Sequence, residues 1–282
     1  MWKQKLCLSA NLQCELTTEE QIKLFHQTGF EGFFTDWKRG KSCQKYADLA
    51  KELGMVYQSI HAPFGKSAIM WHGTDEEADD AINELKECIE ECARCGVEIM
   101  ITHTYIGFDD NRTPNETGLI RYGKVVDEAT KHGVKIAFEN TEGEEYLAAL
   151  MEHFKSNKNV GFCWDSGHEM CYNGSADLLA LYGDRLIATH LNDNLGVKNF
   201  GGRIFWHDDL HLLPFDGIAD WDNVAARLDR CGFDSIMTFE LNLGSKPDRH
   251  ENDLYRKMTI EEYVAEAYKR ACRVAAKRIN KI

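Results

Sequence analysis

Two short runs carry the residue types that do chemistry, CWDSGH at 163–168 and ATHLND at 188–193. Each is an apolar stretch ending in metal-ligating residues, Asp165 and His168 in the first and His190 in the second. Burying a carboxylate or an imidazole costs free energy unless something compensates it, and a divalent cation is a common compensation. The arrangement recurs along the chain, with His61 in SIHAPF, His103 in ITHTYIG, Glu139 in IAFENTEGEE and Glu240 in MTFELN. A later polar run, HDDLHLLPFDG, adds Asp209 and His211. A lone His61 or His103 is more often a hydrogen-bonded structural histidine than a ligand. Glu139 and Glu240 differ, because each follows an apolar triplet (136–138 and 237–239) that belongs inside a core, where a carboxylate needs a cation or a proton. His207 and Asp208 read instead as an exposed polar loop.

Elements must carry these donors to one place. Short β-branched or aromatic runs alternate with longer stretches of helical periodicity, the pattern of βα units. Strands are predicted at Lys5 to Ala10, Gly32 to Trp37, Val56 to Ala62, Ile99 to Tyr105, Lys135 to Asn140, Val160 to Asp165, Leu186 to Asn192 and Ser235 to Asn242. Helices are predicted near 19–28, 41–53, 75–95, 115–132, 144–154, 175–183, 221–231 and 259–278. Thr17 or Thr18 before Glu20, Thr74 before Glu77 and Thr259 before Glu262 are capping signals, and Gly29, Gly54, Gly96, Gly133 and Gly232 are stop signals. Eight strands interleaved with eight helices imply a single α/β domain over 1–282, a closed (β/α)8 TIM barrel whose active site lies where strands run into the loops that follow them. The long connection from Asp193 to Asp220 breaks the regular spacing, as functional lids and binding loops do.

The net charge of −13 gives no global attraction to phosphate backbones or anionic membranes, so nucleic acid is not the expected partner. The first residues alternate apolar with polar, which argues against a signal peptide or spanning helix and points to a cytoplasmic protein. Ten cysteines then read as reduced thiols. Cys88, Cys92 and Cys95 share a helical face with Leu85 and Ile89 and are expected to be small buried hydrophobes.

The order and spacing of HAPF, FEN, WDSGH, HLND, DLHLLPFDG and FEL resemble the sugar phosphate isomerase/epimerase superfamily of xylose isomerase-like barrels. That superfamily also contains the endonuclease IV type of apurinic endonuclease. The resemblance covers essentially the whole chain and implies Glu139, Asp165, His190 and Glu240 as ligands of one divalent cation. Manganese, magnesium or cobalt suits such an oxygen-rich site, and zinc also fits. It implies Glu139 and Glu240 as the acid/base pair, and His168 and Glu145 as contacts to substrate oxygens. An arginine that some ketose epimerases carry six residues after the ligand histidine is replaced here by Gly196.

The implied reaction is proton transfer through a metal-stabilised enediolate of a sugar or sugar phosphate. Return of the proton on the opposite face epimerises; return on the neighbouring carbon isomerises. The alternative is an endonuclease IV-like zinc phosphoesterase acting on abasic DNA, since all nine ligand types of that branch can be placed, with His61, His103, His168, Asp209 and His211 as the additional metal or supporting groups. A non-catalytic sugar-binding barrel is the third reading. His61, Trp37, Phe64 and Arg203 are further candidates to line the substrate site, with Phe34, Trp71, Tyr105, Phe205 and Trp206 as possible aromatic walls. Lys66, Arg112, Lys198 and Arg203 are candidates to hold a phosphate. Trp164 should point outward, because strand residues alternate. Homo-oligomerisation is compatible with such a barrel.

Overall fold

A computed structural model describes residues 4–108, 111–174, 176–197, 204–247 and 249–278. Eight parallel strands follow one another around a barrel: β1 Leu6–Ser9, β2 Gly32–Asp36, β3 Val56–His61, β4 Ile99–His103, β5 Lys135–Glu139, β6 Val160–Asp165, β7 Leu186–His190 and β8 Met237–Phe239. The ladder runs β7-β6-β5-β4-β3-β2-β1-β8. Its ends meet through a parallel bridge between Leu191 and Phe239, where Leu191 N–H donates to Thr238 O at 2.8 Å and Glu240 N–H to Leu191 O at 3.2 Å. The expected TIM barrel is therefore present.

Helices α1 Thr18–Thr28, α2 Gln44–Leu53, α4 Asp75–Cys95, α5 Glu116–His132, α6 Glu144–His153, α8 Leu178–Tyr182, α9 Trp221–Arg230 and α10 Ile260–Ala275 match the predicted set. Two more, α3 Ser67–His72 and α7 Ser166–Cys171, are too short for their periodicity to register. Reciprocal capping boxes start α1 at Thr17, α4 at Thr74 and α10 at Thr259. No helix of the described residues is long and apolar enough to cross a membrane.

The core is split by the sheet. Outside it, against the helices, pack Phe25, Phe33, Trp71, Tyr122, Phe138, Phe162 and Trp164, while the barrel interior holds a small cluster of Ile101, Ala137, Cys163 and Ala188. Strand alternation makes this partition: Cys163 and Asp165 point in, and Trp164 between them points out. Trp164 Nε1 donates to Glu169 at 2.9 Å beneath the Arg227 guanidinium, as the outward reading requires. Cys88 and Cys92 are fully buried beside Leu85 and Ile89 in the outer core.

Two sequence expectations change. Asp208 is fully buried and paired with Arg249 at 3.1 Å, because the 241–258 loop folds back over the 193–220 loop. Trp37 is not a substrate wall: it is buried in the outer core, and its indole N–H donates to Lys41 O at 2.9 Å. Past the end of α10, Arg278 is buried against Asp229 at 2.5 Å and Phe233 O at 2.6 Å.

Candidate active site and metal centre

Glu139, at the end of β5, is the hub. Its carboxylate is fully buried and lies 3.0 Å from His190 Nδ1, 3.2 Å from His61 Nε2, 3.4 Å from His103 Nε2 and 3.5 Å from His168 Nδ1. The register that pairs His103 with Glu139 and Asp165 with His190 sets these donors at one height. Glu240 reaches the same His190 Nδ1 at 3.1 Å from the far side of the barrel, one residue past β8. Phe34 stacks on the His190 ring at 4.6 Å and holds its plane.

Asp165 caps α7, accepting from His168 N–H at 2.6 Å, and takes a further 2.9 Å bond from the Asn192 side chain. Asn140 clasps the same strand end, accepting from Asp165 N–H at 2.8 Å and donating to its carbonyl at 2.9 Å. Gly167 is needed here, because a Cβ would lie 1.9 Å from Asn192 Oδ1. Both amides fall in the FEN and HLND runs, next to Glu139 and just after His190 in the chain, and that adjacency is their signal in the sequence.

The long loop completes the cluster. Asp209 lies 2.9 Å from His211 Nε2 and 3.4 Å from His168 Nε2, and His211 Nδ1 lies 3.7 Å from Glu240. His211 adopts φ +49°, an uncommon conformation for this residue type, between the bond Leu212 N–H makes to Asp193 O and the bond its own carbonyl accepts from Asn242 N–H, both 2.9 Å. Asp193 anchors the loop from below: its buried carboxylate accepts from Phe215 N–H at 2.8 Å and from Ala219 N–H and Trp221 Nε1 at 2.9 Å. Gly217 fits beside it because a Cβ would come within 2.2 Å of Asp193 Oδ1.

Burial and charge oppose each other throughout. Burial pushes the Glu139 carboxyl up, but His190 and His103 outweigh it and hold the group well below the usual range. Burial lifts Asp165 to about 6, with His168 and His211 offsetting part of the rise. Glu240 is drawn down to about 2 by His190 and His211 against its burial. Asp209 is held well below its usual value by His211 and His168 despite burial. Burial opposes protonation of His61, His168, His190 and His211, yet neighbouring carboxylates raise all four, His211 to about 9. At His103 burial wins and the value falls.

These donors suit a divalent cation. One ligand atom from each of Glu139, Asp165, His190 and Glu240 lies within 4.8 Å of the others. Ligands about 2.0–2.2 Å from one ion stand about 3–4.3 Å apart, so the set requires little adjustment to close on it. Three carboxylates facing one imidazole also leave an excess of negative charge in a closed space, and His190 Nε2 is buried with no hydrogen-bond partner among the described residues. Asp165, His168 and His211 form a second such group, and His61, His103 and Glu139 a third.

Residues 22–277 match the family model of the xylose isomerase-like TIM barrel. The chain belongs to that family. This xylose isomerase-like barrel is 31% identical over 217 residues to y4fM, an uncharacterized protein of Sinorhizobium fredii (strain NBRC 101917 / NGR234), a stretch covering 70% of this chain and 65% of that protein. Among solved structures it resembles the IolI protein with a bound zinc atom, with a TM-score of 0.77 at 19% identity over 98% of this chain and 99% of the other. It also resembles the D-psicose 3-epimerase of Clostridium cellulolyticum H10 solved with D-tagatose, with a TM-score of 0.73 at 13% identity over 96% and 99% of the two chains. At these identities the likeness to solved structures concerns the fold.

The remaining site expectations divide. Phe64 is half exposed at the mouth and stacks on His103 at 4.5 Å. Phe205 and Trp206 lie in the loop after β7, 5.9 Å from each other, with Phe205 6.0 Å from Phe108. Trp71 and Tyr105 are buried instead, Trp71 donating to Thr104 O at 2.9 Å and Tyr105 stacking on Tyr146 at 3.9 Å. Glu145 is exposed in the first turn of α6, outside the buried cluster, because Gly143 turns the chain outward with φ +68° before the helix begins. The buried carboxylate of that loop is Glu142, which accepts from Gly107 N–H. Lys66 is engaged by Asp80 at 2.6 Å and Glu84 at 3.2 Å. Lys198 and Arg203 lie outside the described residues.

Proposed function

We propose that the chain is a divalent-metal-dependent isomerase or epimerase of a sugar or sugar phosphate, with Glu139 and Glu240 as the proton-transferring pair. The observation that carries this reading is the convergence of the two carboxylates, from β5 and from the end of β8, on one histidine nitrogen at 3.0 and 3.1 Å. A carbon held between them is within reach of a base on each side. Glu139, Asp165, His190 and Glu240 would hold the cation. A bound dication there supplies Lewis acidity that makes a proton beside a carbonyl easier to remove.

The other steps fall to the chain's own groups. One glutamate, as the carboxylate, takes the carbon-bound proton, and the other, carrying a proton, returns one to the carbon, so that each turnover moves a proton from the second glutamate to the first. Asn140 and Asn192 fix Asp165, while His61 and His168, each with a ring nitrogen 2.8 Å from a backbone carbonyl, present their other nitrogen inward. Phe64 offers an apolar face to the sugar. The family match and the sugar epimerases among the structural relatives support the assignment.

The test is deuterium incorporation into ketoses and ketose phosphates incubated with metal-loaded protein in deuterated water, read by NMR. Exchange at a carbon next to the carbonyl, abolished in Glu240→Gln, is the expected result; no exchange with any sugar overturns the reading. Phosphoester hydrolysis is the second reading, favoured by the gathering of all nine donors, including Asp165, His168 and His211, into one connected cluster. Two or three zinc ions per chain with cleavage of abasic DNA would establish it, whereas about one ion per chain with exchange supports the first.

A further inference from the structure

Lys246 stands at the rim of this site with its charge only partly matched. The residue lies in the loop after β8, and its side chain is only 18% exposed. Its ammonium is 3.7 Å from Asp209 Oδ2, beyond hydrogen-bond distance, and 5.6 Å from the centroid of the Trp206 ring. Asp209 also lies within ion-pair distance of His211 and His168. Among the described residues no hydrogen bond satisfies the three donors of Lys246, so they are open to an acceptor on a ligand. Three residues on, Arg249 pairs with Asp208 through one terminal nitrogen while the other, Nη2, is buried without a hydrogen-bond partner. Two adjacent acids of one loop thus face two basic residues of the other, and the basic side keeps donors in hand.

We propose that Lys246 forms a subsite for an oxyanion of the substrate, so that the sugar this site accepts carries a carboxylate or a phosphate. The subsite rests on the sugar-isomerase reading only for its last clause; binding of an oxyanion at Lys246 stands independently of it. The reacting carbon lies between Glu139 and Glu240, and Asp209 bridges from His211, which contacts Glu240, to Lys246. A substrate extended along that line places its charged end against the ammonium and its carbon chain along Trp206.

Two measurements test it. In the first, inorganic phosphate and acetate are titrated into metal-loaded protein while tryptophan fluorescence is followed, because Trp206 is 40% exposed directly under the ammonium. A saturable change is expected in the wild type and in Lys246→Arg. In Lys246→Met the affinity should fall about 10- to 100-fold, the value of one charge-assisted hydrogen bond. Lys124→Gln, on the outer face of α5, controls for a general charge effect. Equal titrations in the wild type and Lys246→Met overturn the proposal; a preference for phosphate over acetate names the oxyanion.

In the second, kcat/KM is compared for paired neutral, acidic and phosphorylated ketoses. The oxyanion-bearing sugar should be preferred, with the preference reduced at least tenfold in Lys246→Met. Preference for the neutral sugar overturns the substrate clause. Phosphate or acetate binding through Lys246 without turnover of any sugar defeats the isomerase reading and leaves the subsite standing.

Discussion

The site is built from two regions of different construction. Glu139, Asp165 and His190 end strands, are fully buried, and sit in the parallel ladder with a second layer of Asn140 and Asn192 behind them. Asp209, His211 and Lys246 come from two long loops whose positions depend on one another. A strand end is fixed by hydrogen bonds on both sides; a loop residue is fixed only by what the loop touches. Strand ends are suited to groups that must hold one geometry, and loops to groups that can vary with what they meet.

That contrast breaks first at its strongest point. Glu139→Gln should lower turnover by about 10²- to 10⁴-fold, the range for loss of a general acid or base. It should also remove bound metal, because the hub carboxylate then carries no charge. Elemental analysis beside kcat checks both, and normal metal content with normal kcat would mean that the strand-end cluster is not the reacting centre.

Metal removal probes the same region through stability. Three carboxylates in a closed space favour unfolding once the cation leaves. At a free metal concentration 100 times Kd, chelation should cost about 2.7 kcal/mol. Thermal unfolding with and without chelator reads this as a lowered Tm. The four-residue centre fails if Tm is unmoved.

The loop region has its own linchpin. Asp193→Ala leaves Phe215 N–H, Ala219 N–H and the Trp221 indole without their acceptor. Each unsatisfied buried donor costs about 1–3 kcal/mol locally. Amide hydrogen exchange across 204–219 should accelerate at least tenfold while β4 to β6 keep their protection. Uniform acceleration would show that the two regions unfold together and that the contrast is false.

The smallest effect concerns neither region. Thr74→Ala removes the cap of α4 and should cost about 1 kcal/mol in denaturant unfolding without changing turnover.

Most of the barrel was readable in the chain order. Apolar runs of strand length, threonine caps and glycine stops are local signals, and they located eight strands and eight helices within a few residues. α3 and α7 escaped because six residues are too few for a helical period to show. The donors were readable for a related reason. A carboxylate placed directly after an apolar strand has to be compensated, which marks Glu139 and Glu240 without any tertiary information.

Burial at a distance was not readable. Asp208 looks like loop decoration until Arg249, 41 residues later, folds onto it. Trp37 looks like a wall for a sugar until its indole finds the Lys41 carbonyl. Lys246 is one lysine among many until the loop after β8 lays it beside Asp209 and over Trp206. Strands, their inward faces and the chemical types at their ends are written locally, because alternation and capping act within a few residues. Which of those groups touch, which loop charges are buried and where Lys246 lies at the rim depend on pairings between residues far apart in the chain, and those exist only once the barrel has closed.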